Sequence, residues 1–209
     1  MTRDEIATNV RENLEDAGIT FYSATDISDS IQDGYDDVAV ITGCIQKSVT
    51  LNFTANLSYY DFKTLIADYY APVALYNNVT KRWMDPDGKR IFRKVRRDYE
   101  LWSGEPGFWA VIDARKVGIF PRKTATSGTF TVFYRATANT LSGSDTPLIH
   151  ADVVDLLENY ATGDLLDQAQ EYIKADKYLG NYFTDVLKYK TRIGSLAKTD
   201  YLPVLTINH

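Results

Sequence analysis

The sequence is poor in the side chains that catalysis and metal binding need. Its 209 residues include one cysteine, Cys44, and two histidines, His150 and His209. A single cysteine excludes an internal disulfide framework and suits a reducing compartment, where we expect it as a small buried residue. Two histidines, one in a predicted loop and one at the terminus, are too few for a metal cluster or a histidine-activated nucleophile. We therefore predict no enzyme, no metal and no cofactor.

Long apolar runs and targeting signals are missing as well. The chain begins Met-Thr-Arg-Asp-Glu-Ile, with acids where a secretory signal needs bases, and it contains no run of 18 apolar residues. We expect a cytoplasmic protein without a membrane span. Phosphate-binding glycine loops are absent too. The stretch Asp85-Pro86-Asp87-Gly88 is only a fragment of a calcium loop, which we interpret as a turn.

Charge is divided unevenly along the chain. The formal net charge of -5 gives no general attraction to nucleic acid. Residues 1–40 contain ten acids and two arginines, which we interpret as a solvated or partner-facing acidic rim. Residues 81–97 contain eight bases and two acids, and the bases include Arg93, Lys94, Arg96 and Arg97. These cations either pair with the acidic rim, in the same chain or in a neighbouring copy, or contact DNA phosphates.

Aromatic side chains are abundant, at 13% of the residues, and fifteen of them are tyrosines. Tyrosine is enriched where protein surfaces meet, so the composition favours association. The tryptophans offer an alternative. Trp83, Trp102 and Trp109 would bind carbohydrate or another surface ligand if their rings were exposed and coplanar. A β-rich binding module therefore remains open beside an assembly protein.

Helical patterns occupy the N-terminal region. Thr2-Arg3-Asp4-Glu5 fits a capping box and predicts a helix that runs to about Ala17. A second helix, capped by Thr25 or Asp26, is expected to end near Gly43. The apolar positions that define these helices are Ile6, Val10, Leu14, Ile27, Ile31, Tyr35 and Val38.

The helical period returns in the C-terminal region. Ser144-Asp145-Thr146-Pro147 is predicted to start a helix, and a basic turn before Gly194 is predicted to end the last one. The apolar positions of this region are Val153, Leu156, Leu157, Tyr160, Leu165, Leu166, Tyr172, Ile173, Leu179, Tyr182, Phe183, Val186, Leu187 and Tyr189.

The middle of the chain has the period of β-strands. Apolar and polar residues alternate around Val49 and Leu51, and again around Val73 and Leu75. Residues 109–134 predict an antiparallel meander of three strands with aromatic side chains on both faces. We expect helices of the chain to cover one face, and either the same chain or a neighbouring subunit to cover the other.

These patterns together predict an α+β fold. The N- and C-terminal helices form one bundle, into which an antiparallel, β-sandwich-like sheet is inserted. The expected parts are the N-terminal helices at 1–45, the β-rich region at 46–140, the C-terminal helices at 141–198 and an extended arm at 199–209. The arm is apolar and either packs on its own bundle or inserts into a partner.

The order of these parts resembles the head-tail adaptor, or connector, proteins of tailed bacteriophages. The resemblance covers about residues 26–170, and the chain departs from it at 120–123, where further prolines or small residues are expected. The segments that carry it are "DISDSIQDGYDDVAVITG", "YYDFKTLIADYYAPVALYNNVTKRW", "WSGEPGFWAVIDARKVGIFPR", "TFTVFYRATANTLSGSDTPLI" and "VVDLLENYATGDLL". The individual cues are Trp102, Gly104, Pro106, Ile119, Pro121, Tyr134, Leu141, Asp145, Pro147 and Tyr160.

The resemblance implies a structural protein of the virion neck, made in the host cytoplasm. Such adaptors form a ring, usually of twelve copies, that docks to the portal protein and presents its far face to a tail, stopper or nozzle protein. It implies that the subunit seam or the DNA channel is lined by Arg93, Lys94, Arg96 and Arg97, with non-specific DNA contact in the channel. The portal-docking arm is then formed by Tyr201, Leu202, Pro203, Val204, Leu205 and Ile207.

Overall fold

The computed structural model describes residues 1–15, 21–86 and 103–199, and it confirms the predicted α+β class. The chain divides into two compact units. The helical unit combines Met1–Ile45 with Ala138–His209, and the β unit is residues 46–137. The predicted C-terminal arm lies outside the described residues beyond its first position.

The helical unit has four long helices. They are α1 at Arg3–Asn13, α2 at Ala24–Thr42, α4 at Asp155–Gln168 and α5 at Tyr172–Thr199, whereas α3 at Phe62–Leu65 belongs to the β unit. Helix α4 packs against each of the other three. The predicted C-terminal boundaries are wrong, because the Ser144–Pro147 stretch lies in a loop and Gly194 lies inside α5. Asp145 accepts hydrogen bonds from the backbone and hydroxyl of Ser142, so this stretch closes a turn instead of capping a helix.

The capping box at the start of α1 is confirmed. The Thr2 hydroxyl accepts from the Glu5 backbone N–H at 3.3 Å, and the Glu5 carboxylate accepts from the Thr2 N–H at 2.8 Å. Helix α1 ends at Asn13, earlier than predicted, because Glu15 adopts a left-handed conformation with φ 57°. The predicted end at Ala17 falls outside the described residues.

Helix α2 begins two or three residues earlier than its predicted caps imply. Ser23 is the N-cap, and Asp26 takes the third position, where its carboxylate accepts from the Ser23 N–H at 3.0 Å. The predicted end is confirmed, since Gly43 terminates the helix in the left-handed region with φ 63°. The predicted apolar line of Ile27, Ile31, Tyr35 and Val38 is buried.

Two glycines let the helices of this unit approach closely. A Cβ on Gly34 would lie 2.8 Å from the Tyr160 ring, and a Cβ on Gly163 would lie 2.7 Å from Cγ of Leu179. Both neighbours are large, half-buried side chains. The close packing of α2 on α4, and of α4 on α5, therefore depends on the absence of a side chain at these positions.

Replacing Gly163 with alanine is expected to lower the free energy of unfolding by about 1–3 kcal/mol, the usual cost of overpacking. The added methyl group would also meet the Leu179 backbone nitrogen at 3.1 Å, which cannot move aside as a side chain can. Gly180→Ala is the matched control, because a Cβ there meets nothing within 4 Å and alanine is the better helix former by about 1 kcal/mol. Urea denaturation followed by circular dichroism measures both, and equal midpoints would contradict the packing.

The described residues of the β unit form two antiparallel sheets and one helical turn. The larger sheet has the order β1-β7-β3-β4 and the smaller one has the order β2-β6-β5. The bounds are β1 at Gln46–Asn52, β2 at Tyr59–Asp61, α3 at Phe62–Leu65, β3 at Tyr69–Asn77, β4 at Arg82–Trp83, β5 at Phe108–Val111, β6 at Lys116–Phe120 and β7 at Thr129–Ala136.

The predicted three-stranded meander is wrong. Strands β5 and β6 do form a hairpin, but the second edge of β6 pairs with β2 and is closed to β7. Strand β7 instead lies at the centre of the larger sheet, in register with all seven residues of β1 and along most of β3. In this central position both edges of the eight-residue strand β7 are hydrogen-bonded. Strand β6 has only five residues and could pair with only part of β7.

The two faces of β7 differ in their surroundings. Phe130, Val132 and Tyr134 are buried and pack with other aromatic side chains of the unit. On the opposite face Phe133 contacts the Trp83 ring at 5.2 Å, and Trp83 contacts the Tyr76 ring at 5.1 Å. The aromatic side chains of the second face therefore partly cover one another within this sheet.

Lys123 lies in the stretch at 120–123 where the sequence departs from the phage-adaptor pattern, and its side chain is held by several contacts. Its side chain is only 8% exposed and pairs with Glu105 at 3.0 Å. Its ammonium also donates to the Ser127 carbonyl at 3.1 Å and lies 5.2 Å from the centre of the Phe53 ring. These contacts anchor the connection from β6 to β7 on the rest of the unit.

Candidate assembly surfaces

The acidic rim includes a continuous stripe along α2. Successive helical residues turn by about 100°, so positions 26, 29, 33, 36 and 40 share one face. Asp26, Asp29, Asp33 and Asp36 are all exposed there, and Val40 ends the row at 41% exposure. We call these five residues the α2 stripe. The opposite face of α2 carries its core residues.

The carboxylates of the α2 stripe differ in their electrostatic surroundings. Partial burial, followed by the charges of Asp164, Asp36 and Asp29, raises the pKa of Asp33. At the helix start, hydrogen bonds from the side chain and backbone of Ser23 lower the pKa of Asp26. Hydrogen bonds therefore stabilise the charged carboxylate of Asp26 at the start of the stripe, whereas neighbouring carboxylates disfavour the charged form of Asp33 at its centre.

A second stripe, which the sequence did not reveal, lies on α5. Ile173 is 91% exposed, Leu187 is 58% exposed and Phe183 is 54% exposed, although the sequence placed them with the core residues. The buried side of α5 is formed by Ala175, Tyr182, Val186 and Tyr189. We call the exposed row the α5 stripe, which comprises Tyr172, Ile173, Gly180, Phe183, Thr184, Leu187, Thr191 and Gly194.

Neighbouring apolar pairs are the sequence signal for the α5 stripe. Tyr182-Phe183 and Val186-Leu187 each place two apolar residues about 100° apart, so one member of each pair turns away from the core. A helix that needed one apolar face would carry a polar residue at the second position of each pair. The pairs therefore indicate that α5 has two contact faces.

Basic side chains border the α5 stripe. Lys177, Lys188, Lys190 and Arg192 are exposed on the same helix. Lys188 pairs with Asp185 at 2.7 Å, but both partners are largely solvated, so this pair contributes little to stability. The apolar row thus has cations beside it, whereas the α2 stripe carries only acids and one valine.

Comparison with known protein families agrees with a contact role for the exposed α2 and α5 stripes. A family model described as SU10 adaptor protein matches residues 1–202. The chain belongs to the SU10 adaptor protein family. The resemblance to phage adaptors is thereby confirmed. No curated protein matches the sequence.

Membership makes this chain a phage adaptor, which is a structural component of the virion and interacts with other head or tail proteins. The predicted portal arm at Tyr201–Ile207 lies outside the described residues of the adaptor. The predicted cations Arg93, Lys94, Arg96 and Arg97 also lie outside them. The roles of both sets stay predictions.

The tryptophans of the adaptor do not form the flat platform that a carbohydrate site would need. Trp109 is 6% exposed, and its indole N–H donates to the Met84 carbonyl at 3.2 Å. Trp83 is half-buried and meets the Tyr76 ring at an interplanar angle of 69°. Trp102 lies outside the described residues. The geometry of the two described indoles does not support the binding-module alternative.

The described part of the adaptor brings few reactive groups together. Within residues 1–15, 21–86 and 103–199, no cluster of three or more His, Cys, Asp or Glu side chains could hold a metal ion. His150 lies exposed in a loop, and Cys44 is partly buried, which raises the pKa of its thiol. In these same ranges no helix has both the length and the apolarity that a bilayer crossing requires.

Proposed function

We propose that this adaptor acts without catalysis as the ring that links the DNA-filled capsid to the tail. Twelve copies dock beneath the portal vertex, and the far face of the ring meets the tail, stopper or nozzle protein. Family membership over residues 1–202 is the observation that carries this proposal. It is supported by the helical unit, which exposes two chemically different surfaces, the α2 stripe and the α5 stripe. Ring closure needs two different surfaces on each copy.

The C-terminal arm is the proposed contact with the portal. Tyr201, Leu202, Pro203, Val204, Leu205 and Ile207 form an apolar segment directly after the last described helix. Apolar side chains that are exposed before docking and buried after it supply binding free energy. The basic residues Arg93, Lys94, Arg96 and Arg97 are proposed to line the subunit seam or the channel through which DNA passes. In the channel they would contact phosphates without sequence preference.

Mixing the purified chain with tail-less capsids that contain a portal tests the proposal. Electron microscopy is expected to show a symmetric ring at the portal vertex, and class averages give its copy number. Capsids assembled without portal protein are the control and should stay bare. Bare vertices on portal-containing capsids, over a range of adaptor concentrations that includes a large excess, would overturn the adaptor role at this vertex.

A chain that ends after Thr199 is expected to bind these vertices at least about a hundredfold more weakly, because it loses several aliphatic side chains worth about 1.5–3 kcal/mol each when buried. The fraction of vertices with a ring, measured against protein concentration, gives the change. A chain of full length with glycine and serine at 201–207 separates the loss of apolar contacts from the loss of length. Undiminished binding by both variants would exclude the arm and leave the ring itself in place.

A further inference from the structure

The α5 stripe has the shape of a surface that another helix covers. Its residues fall within about 120° of arc around α5, and the centre of this arc lies about 130° from the centre of the core-facing row. Three apolar side chains of the stripe are exposed, namely Ile173, Phe183 and Leu187. Exposed apolar side chains that align on one face mark a contact surface more often than scattered ones do.

The glycines of the stripe have no role inside the described chain. A Cβ on Gly180 or Gly194 would meet nothing within 4 Å, in contrast to Gly34 and Gly163, which lie against Tyr160 and Leu179. Glycine is disfavoured in the interior of a helix. Its presence at two exposed positions of one face, beside Phe183 and Leu187, fits the close approach of a second backbone.

The charges around the stripe indicate what this second backbone carries. Lys177, Lys188 and Lys190 border the α5 stripe and outnumber Asp176, the exposed acid that shares its arc, so an acidic partner is favoured. The α2 stripe is acidic, and its aspartate side chains are short enough to let another helix approach. The α2 stripe extends about 21 Å from Asp26 to Val40, and the α5 stripe extends about 33 Å from Tyr172 to Gly194, so the α2 stripe can lie along it over its whole length.

Among the described residues, the groups that surround the centre of the α2 stripe are carboxylates and neutral side chains. Asp33 lies near the charges of three other carboxylates, which raise its pKa together with partial burial. Hydrogen bonds bring neutral Ser30 and Gln168 to the nearby Asp164. Lysine side chains from another copy would offset this repulsion without a change in the fold.

We propose that the α5 stripe of one adaptor binds the α2 stripe of the next copy and that this contact is the subunit seam of the ring. The proposal rests on the proposed ring function and names its interface. The contact joins two different surfaces, so each copy still offers one free stripe of each kind after pairing. Repeated around an axis, such a contact closes a ring. This seam leaves the basic segment at 89–97 to the channel.

Charge reversal in two separate chains tests the seam. One chain carries Asp29→Lys and Asp33→Lys, so that both of its stripes have basic surroundings. The other chain carries Lys188→Glu and Lys190→Glu, so that both of its stripes have acidic surroundings. Each chain alone is expected to form rings on at least tenfold fewer portal vertices than the unchanged protein does. An equal mixture is expected to restore rings, since every seam then joins opposite charges in alternating order.

Two controls keep the result specific. Glu12→Lys and Lys116→Glu reverse exposed charges on α1 and on β6 and should leave ring formation unchanged. Thermal unfolding followed by circular dichroism verifies that each reversed chain is folded. Rings formed by either reversed chain as efficiently as by the unchanged protein would overturn the seam while leaving the adaptor role intact.

Sedimentation without capsids supplies a second readout, which does not depend on the portal. The two reversed chains should associate with each other, should not self-associate, and should lose their association as salt is raised. Failure of the unchanged protein to bind vertices would count against the proposed function, and sedimentation would then decide the seam alone. A mixture that assembles neither on capsids nor in solution overturns the seam.

Discussion

Replacing Phe130 with alanine is expected to lower the free energy of unfolding by about 3–5 kcal/mol, among the largest effects of a single substitution in this chain. The Phe130 side chain is fully buried near the start of β7. Its ring centre lies 4.8 Å from that of Phe53 and 5.2 Å from that of Tyr60. Alanine would leave a cavity between strands of both sheets, and the surrounding rings cannot rotate to fill it without losing their own contacts.

Guanidinium denaturation followed by circular dichroism measures this loss. Phe183→Ala is the matched control, because the same residue type is 54% exposed on α5 and its truncation is expected to change stability by no more than about 0.5 kcal/mol. The same control variant should impair ring formation if the α5 stripe is the seam. A Phe130→Ala midpoint equal to that of the unchanged protein would show that this aromatic cluster is not the core of the β unit.

Alkaline pH is expected to destabilise the helical unit, with Tyr182 as a main cause. Its hydroxyl donates to the Asp37 carboxylate, and burial together with that contact raises the pKa of Tyr182. The neutral phenol is therefore favoured in the folded state, and the unfolded chain ionises first. The stabilisation is complete below pH 10 and is lost as pH rises above it, by up to about 1.4 kcal/mol per pH unit for each such tyrosine.

Tyr182→Phe is expected to cost about 1.5–3 kcal/mol at pH 7, because a buried hydrogen bond to a charged group is removed while the ring still packs on Tyr160. Its stability should then fall less steeply above pH 10, by the contribution of one phenol. Urea midpoints by circular dichroism at pH 7 and pH 11 measure both effects. Tyr172→Phe is the control, since Tyr172 is 57% exposed and its loss should alter neither value. An unchanged alkaline slope in Tyr182→Phe would refute the assignment.

The parts of the fold that follow local rules were predictable from the sequence. The capping box at Thr2 and the left-handed Gly43 each depend on residues within one helical turn, and both were confirmed. The partners of β7 were not predictable, because strand pairing joins residues that are far apart in sequence. The burial of Lys123 was hidden for a related reason, since its compensating contacts with Glu105 and Phe53 come from other parts of the unit.

The candidate surfaces were predictable only in part. The acidic rim was visible as composition, but its arrangement as one stripe required the true start of α2 at Ser23. The α5 stripe was missed because Phe183 and Leu187 fit an apolar period as well as their buried neighbours do. Periodicity shows which residues are apolar and how they repeat. It does not show which of two adjacent rows meets the core.

The division of the helical unit between both ends of the sequence governs the order in which the protein can be built on the ribosome. Helices α1 and α2 emerge before the β unit, but their packing partner α4 begins only at Asp155, after the whole β unit. Asn9 then donates to Glu158 at 2.7 Å, and Gly34 meets Tyr160. The β unit is continuous in sequence and can fold during this interval. The apolar rows of α1 and α2 that pack on α4 thus stay uncovered until the β unit and α4 have been synthesised.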